Sequence, residues 1–139
     1  IALSDAVGES GHVYSYDIRN DMSQMASTNV GKYAHTPSNV TFKLGGINMK
    51  RNGFDWHLRD RPPSSNELVD RTGPYYEFCI DNFGAERCMF ESNFPVDKVS
   101  CSYGVLWNSF KKMVSHLSRT QKAALFHGTA EKVYRLKND

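Results

Sequence analysis

Two short runs of β-branched and aromatic residues, each cut off abruptly, do most to constrain the fold of this chain. Asn39-Val-Thr-Phe-Lys-Leu44 stops at Gly45-Gly46, and Cys88-Met-Phe90 stops at Glu91-Ser92-Asn93-Phe94-Pro95. Both have the composition of buried strands. Helical sequence lies between them, so the second strand returns by a crossover and lies parallel to the first. A third run, His12-Val-Tyr-Ser-Tyr16, ends at Asp17. The order strand, helix, strand, helix, strand, helices predicts an α/β fold: a partly parallel sheet of three or four strands with helices packed on it.

Helix signals fill the intervals. Asn20 or Asp21 caps a stretch from Met22 to Lys32. Pro62-Pro63-Ser64-Ser65 starts another, with Ser64 or Ser65 as cap and Glu67 in the first turn. From Pro74 to Phe83 a helix directs Tyr75, Phe78, Cys79 and Ile80 inward, and Gly84 stops it. Ser100 or Ser102 caps a helix to Leu117 with Leu106, Phe110, Met113, Val114 and Leu117 as its apolar stripe. Thr120 caps a helix through Phe126, Gly128 interrupts it, and Thr129 begins a last short helix with Val133, Tyr134 and Leu136 inward. Ile47 to Arg61 has no period and reads as a long loop.

At 139 residues a single domain spanning 1–139 is expected. Seventeen basic residues against fifteen acidic give a net charge of +2, too balanced for a nucleic-acid or anionic-membrane partner. No apolar stretch reaches the roughly 20 residues that span a bilayer, and no signal peptide is visible. Cys79, Cys88 and Cys101 have no CxxC spacing and read as buried thiols in a reducing cytoplasm. The chain begins at Ile1, so its natural beginning is expected to lie elsewhere.

In a parallel α/β domain, ligands sit beyond the carboxyl ends of the strands. Asp17, Gly45-Gly46 and Glu91-Ser92-Asn93 occupy those ends. The five histidines include no HxH or HExxH pair. His57 shares the long loop with Arg59 and Arg61, a combination able to hold a carboxylate. No GxSxG elbow or P-loop is present.

From about Asn39 to Leu136 the sequence resembles the amidohydrolase-related family, metal-dependent hydrolases with a TIM-barrel fold. The resemblance is carried by "NVTFKLGGINM", "DWHLRDRPPSS", "GPYYEFCIDNFGAERCMFESNFPVDK" and "ALFHGTAEKVYRL". It implies that Cys88–Phe90 is the last barrel strand, followed by the closing helices. At that strand's end the family usually carries an aspartate in a Gly-Ser-Asp-Trp-Pro-like run, which binds a divalent metal or takes the proton of the attacking water. Here the run is Glu91-Ser92-Asn93-Phe94-Pro95. Asn93 holds the aspartate's place, and a neutral amide cannot act as a general base. Glu91 is the second catalytic candidate.

The resemblance implies zinc or manganese, but the family's histidine ligands are absent, so no metal ligand is assigned and the chain is not expected to bind the ion. It also implies hydrolysis of a lactone, ester or amide of a small carboxylated molecule, with His57, Arg59 and Arg61 as substrate contacts. A whole TIM barrel takes about 250 residues and eight strands, so the chain alone is expected to be inactive and, with open strand edges, to form homo-oligomers.

Residues 1–45 resemble a class I methyltransferase of the tRNA adenine-N1 type. In "GHVYSYDIR", Asp17 would bind the ribose hydroxyls of S-adenosylmethionine. The expectation is a join of two fragments near Asn39 to Gly46. The alternatives are a methyltransferase fragment, a non-enzymatic folded module, and an amidohydrolase with an unusual upstream helix.

Overall fold

The computed structural model describes residues 13–15 and 40–136. The expected helix from Met22 to Lys32, and Asp17, lie outside the described residues. Three strands, β1 (Val13–Ser15), β2 (Val40–Leu44) and β3 (Cys88–Phe90), form one sheet in the order β1-β2-β3, with both pairings parallel. Phe42 is in register with Cys88 and Leu44 with Phe90. The ladder runs one step further, where the Glu91 N–H donates to the Leu44 carbonyl at 3.1 Å. β2 and β3 therefore end side by side.

The β2–β3 crossover is helix α1 (Ser65–Phe83), opened by a capping box. The Ser64 hydroxyl accepts from the Glu67 N–H, and the Glu67 carboxylate accepts from the Ser64 N–H. Instead of starting afresh at Pro74, the helix runs through it. A proline usually clashes with the β-carbon of the residue before it. Here that residue is Gly73, which has none; a β-carbon there would lie 3.8 Å from both Met113 Cγ and Val69 Cγ1. The inward tyrosine is Tyr76 rather than Tyr75, because one uninterrupted helical period from Leu68 through Thr72 places Tyr76 on the buried face.

Helix α2 (Tyr103–Met113) is capped by Ser102 and packs on α1. Its stripe of Leu106, Phe110, Met113 and Val114 is buried as the period predicts. Phe110 stacks on Phe90 of β3 at 4.3 Å between ring centroids and meets Tyr76 edge-on at 5.4 Å. β3 is buried along its whole length, between this aromatic layer and the C-terminal helices.

Those helices are α3 (Arg119–Ala123), a π-helical turn over Ala124–Gly128, and α4 (Thr129–Tyr134). Ser118, not Thr120, is the cap, in a second capping box with Gln121. Gly128 does not break the helix but lies in the wide turn. Leu125 is the buried anchor of this region. Tyr134 and Leu136 face solvent because the chain leaves the core at Arg135, which adopts a left-handed conformation.

Candidate site at the carboxyl ends of the strands

The loop after β2 folds back on itself through two 3-10 turns, Lys50–Asn52 and Trp56–Leu58. Buried Asn52 staples it by donating its side-chain amide to the carbonyls of Gly46 and Ile47, both at 2.9 Å. The loop after β3 turns sharply at Asn93, whose φ is +52°, a conformation asparagine tolerates better than most residues. A 3-10 turn, Val96–Val99, follows.

These two loops touch. A β-carbon on Gly45 would lie 2.5 Å from both the Cγ and the backbone oxygen of Glu91. At Gly46, with φ +76°, it would lie 3.4 Å from the Asn93 amide nitrogen. The two glycines let backbone and side chains approach where a larger residue would hold them apart. A second tie runs deeper, where Ser100 Oγ donates to the Asn48 carbonyl at 2.6 Å.

Three side chains concentrate the chemistry. Glu91 faces Lys43 of β2, with Oε2 3.7 Å from Nζ. The Asn93 Nδ2 donates to Asp97 Oδ1 at 2.8 Å, while the Asp97 N–H donates to the Asn93 carbonyl at 3.1 Å. Asp97 is only 1% exposed. Burial pushes its carboxyl from 3.8 up to about 6, against the hydrogen bonds from Asn93 and the Asn48 backbone, which lower it; the charge of Glu91 raises it further. Among the described residues its Oδ2 has no hydrogen-bond partner, nor have the side-chain amide of Asn48 and the hydroxyl of Tyr76, all of them enclosed. Burial raises the Tyr76 phenol, followed by the charges of Asp97 and Glu91.

The residues anticipated from sequence divide into two groups. Glu91 and Asn93 stand together at the strand ends beside Gly45-Gly46. On the loop, Arg59 is turned to helix α1: Nη2 is 2.7 Å from Glu67 Oε1, and the guanidinium lies over the Trp56 ring at 5.4 Å. With the Ser64 N–H, Arg59 holds the Glu67 carboxyl down at about 2. His57 is half-buried with an enclosed, unpartnered Nδ1, and Arg61 is exposed. Asp97, Asn48 and Tyr76 were not anticipated. The available signal for Asp97 was its place four residues after Asn93, the spacing at which one helical turn brings side chains together.

The donor set does not suit a divalent metal by itself. Glu91 faces an ammonium group, Asp97 is engaged by N–H donors, and Asn93 turns its N–H side to Asp97. Among the described residues no three His, Cys, Asp or Glu side chains gather so as to hold an ion.

Comparison with known proteins places this geometry. The amidohydrolase family model matches residues 29–136, starting ahead of the join expected near Asn39 to Gly46. Uncharacterized protein y4mH of Sinorhizobium fredii (strain NBRC 101917 / NGR234) is 39% identical over 98 residues, 70% of this chain and 29% of that protein. An amidohydrolase from Burkholderia multivorans, solved with bound zinc, superposes with a TM-score of 0.61 at 27% identity, over 73% of this chain and 34% of its own. A second crystal form of that amidohydrolase, with bound HEPES, gives 0.60 at 28% identity, over 73% and 33%. The chain thus spans about a third of the length of the relatives it matches. With the family match running through both strand ends and the closing helices, this chain belongs to the amidohydrolase family.

Proposed function

We propose that residues 40–136 supply the last strand and closing helices of an amidohydrolase-type barrel, whose strand-end loops line a site for hydrolysis of a lactone, ester or amide of a small carboxylated molecule. The observation that carries this reading is the meeting of Gly45-Gly46 with Glu91 and Asn93 on the side of the sheet where such barrels bind substrate. Asn93 and Glu91 are the polar groups offered to the reacting end. Exposed Arg61, with His57, is the cation available to a substrate carboxylate, since Arg59 is already paired with Glu67. A divalent metal of the kind found in the Burkholderia amidohydrolase would draw its ligands from outside the described residues. The chain on its own is then inactive.

Val96, Val99 and Tyr103, which follow the β3 loop in sequence, are each about half exposed, and such apolar surface favours self-association. The three free, buried cysteines suit a reducing compartment, and we assign the protein to the cytoplasm on that ground. No helix among the described residues is long and apolar enough to cross a membrane.

Resonance mapping tests the site directly. A carboxylated γ-lactone such as 5-oxotetrahydrofuran-2-carboxylate, titrated to millimolar concentration into labelled chain, should shift the amides of Gly45, Gly46, Glu91 and Asn93. Shifts confined to the far side of the sheet would remove the reading.

A further inference from the structure

We propose that Asp97 is a positioning residue for Asn93, capturing its amide nitrogen so that the strand end presents the amide oxygen, an acceptor, to whatever binds there. The direction "toward the substrate" rests on the function proposed above; the orientation itself does not.

An asparagine side chain carries a donor and an acceptor on one carbon, and which of them faces a site is set by its neighbours. Here an ionised carboxylate can only accept, so the Asn93 Nδ2 must turn toward Asp97, and the 2.8 Å contact is the result. Asn93 Oδ1 is then left on the opposite side. It makes no hydrogen bond among the described residues and is not one of the fully enclosed, unpartnered atoms, on a residue that is half-buried. The backbone fixes the same geometry from below. Asn93 sits at φ +52°, its carbonyl is held by the Asp97 N–H, and the Asp97 carbonyl is held in turn by the N–H groups of Ser100 and Cys101. Asp97 is thus rigidly placed, buried and charged, and it spends one carboxylate oxygen on a neutral amide.

The pairing has a chemical consequence. A protein with an aspartate at position 93 and Asp97 intact would set two carboxylates at hydrogen-bond distance, and like charges that close cannot both ionise. The acid of this strand end therefore stands at 97 and the amide at 93, and the two positions form one exchangeable unit.

The test uses the full labelled chain at pH 8 and reads the Asn93 side-chain amide. In the native protein its protons should show contacts to the Asp97 β-protons and exchange slowly with solvent. Asp97→Ala should speed that exchange by about tenfold or more, as expected for loss of a hydrogen bond to a charged group, and abolish the contacts. Asp97→Asn, whose amide oxygen still accepts, should restore both. Independently, Asn93→Asp should lower the melting temperature, and adding Asp97→Asn to it should recover most of the loss, because the donor and acceptor have merely changed places. Unchanged Asn93 exchange in a folded Asp97→Ala protein would overturn the proposal. So would a swapped pair no more stable than Asn93→Asp alone, which decides the matter if Asp97→Ala does not fold. Failure of every hydrolysis assay would leave these results intact and count only against the functional reading.

Discussion

Gly45 and Glu91 approach so closely that a β-carbon on the glycine would sit 2.5 Å from both the glutamate's Cγ and its backbone oxygen. The side-chain clash could be relieved by a rotamer change. The backbone clash could not, because the Glu91 N–H is held by the Leu44 carbonyl. Gly45→Ala should therefore pry the two strand ends apart and cost about 1–3 kcal/mol, the usual range for overpacking. Urea denaturation of the two proteins measures this directly. A loss below experimental error would mean that the loops are not in contact.

Asp97 should leave a signature in the pH dependence of stability. Its carboxyl is raised from 3.8 to about 6, so between those values the folded state holds more protons than the unfolded state. Its contribution is complete at low pH and is lost as pH rises through about 6. A shift of about two units corresponds to on the order of 3 kcal/mol. Asp97→Asn should flatten the fall in stability between pH 4 and pH 6 relative to the native chain. Glu67 works in the opposite sense. Its carboxyl is lowered from 4.5 to about 2, so its contribution is present above 4.5 and lost as pH falls toward 2. Glu67→Gln should lower stability above about pH 4.5 and flatten the loss between there and pH 2, leaving the two proteins alike at the acid end.

Pro74 is exposed in the middle of α1, where it withholds the hydrogen bond that the Asp70 carbonyl would accept. Pro74→Ala should restore that bond and stabilise the protein by about 1–2 kcal/mol, somewhat less than the full cost of an interior proline because the unfolded chain gains freedom. Thermal unfolding reads the change, and destabilisation would show that the helix depends on a bend at this point.

How much could be read from sequence depended on whether the cause was local. β3 was legible to the residue because its apolar run ends at charged and polar side chains. Leu106, Phe110, Met113 and Val114 were legible because one helical period fixes their face. Continuous α1 was not, since the helix-breaking reputation of Pro74 hides the permissive effect of Gly73 before it. At the site, Gly45-Gly46, Glu91 and Asn93 could be named from their place after strands. Asp97 could not, because an aspartate followed by lysine looks like solvated surface, whereas it is 1% exposed and bonded to Asn93 and the Asn48 backbone. The role suggested for Arg59 was obscured for a similar reason. Its partner, Glu67, is eight residues away across a loop whose path no local pattern reveals.

The exposed apolar surface of Val96, Val99 and Tyr103 should drive association. Sedimentation of the native chain should give a mass above the 15.8 kDa of a single copy, and Val96→Asp with Tyr103→Ser should return it to that value. A native monomer at all accessible concentrations would show that these side chains do not pair copies.

Hydrolysis by a reconstituted barrel bears most directly on the central claim. Residues 40–136 would replace the matching third of the Burkholderia multivorans amidohydrolase, and turnover of carboxylated lactones, esters and amides would be followed with zinc or manganese supplied. The account predicts hydrolysis of at least one class by the hybrid, none by the chain alone, and a loss on the order of a hundredfold or more on Asn93→Ala, the scale seen when a transition-state hydrogen-bonding group is removed. A folded hybrid that hydrolyses these substrates equally well with and without the Asn93 side chain would contradict it.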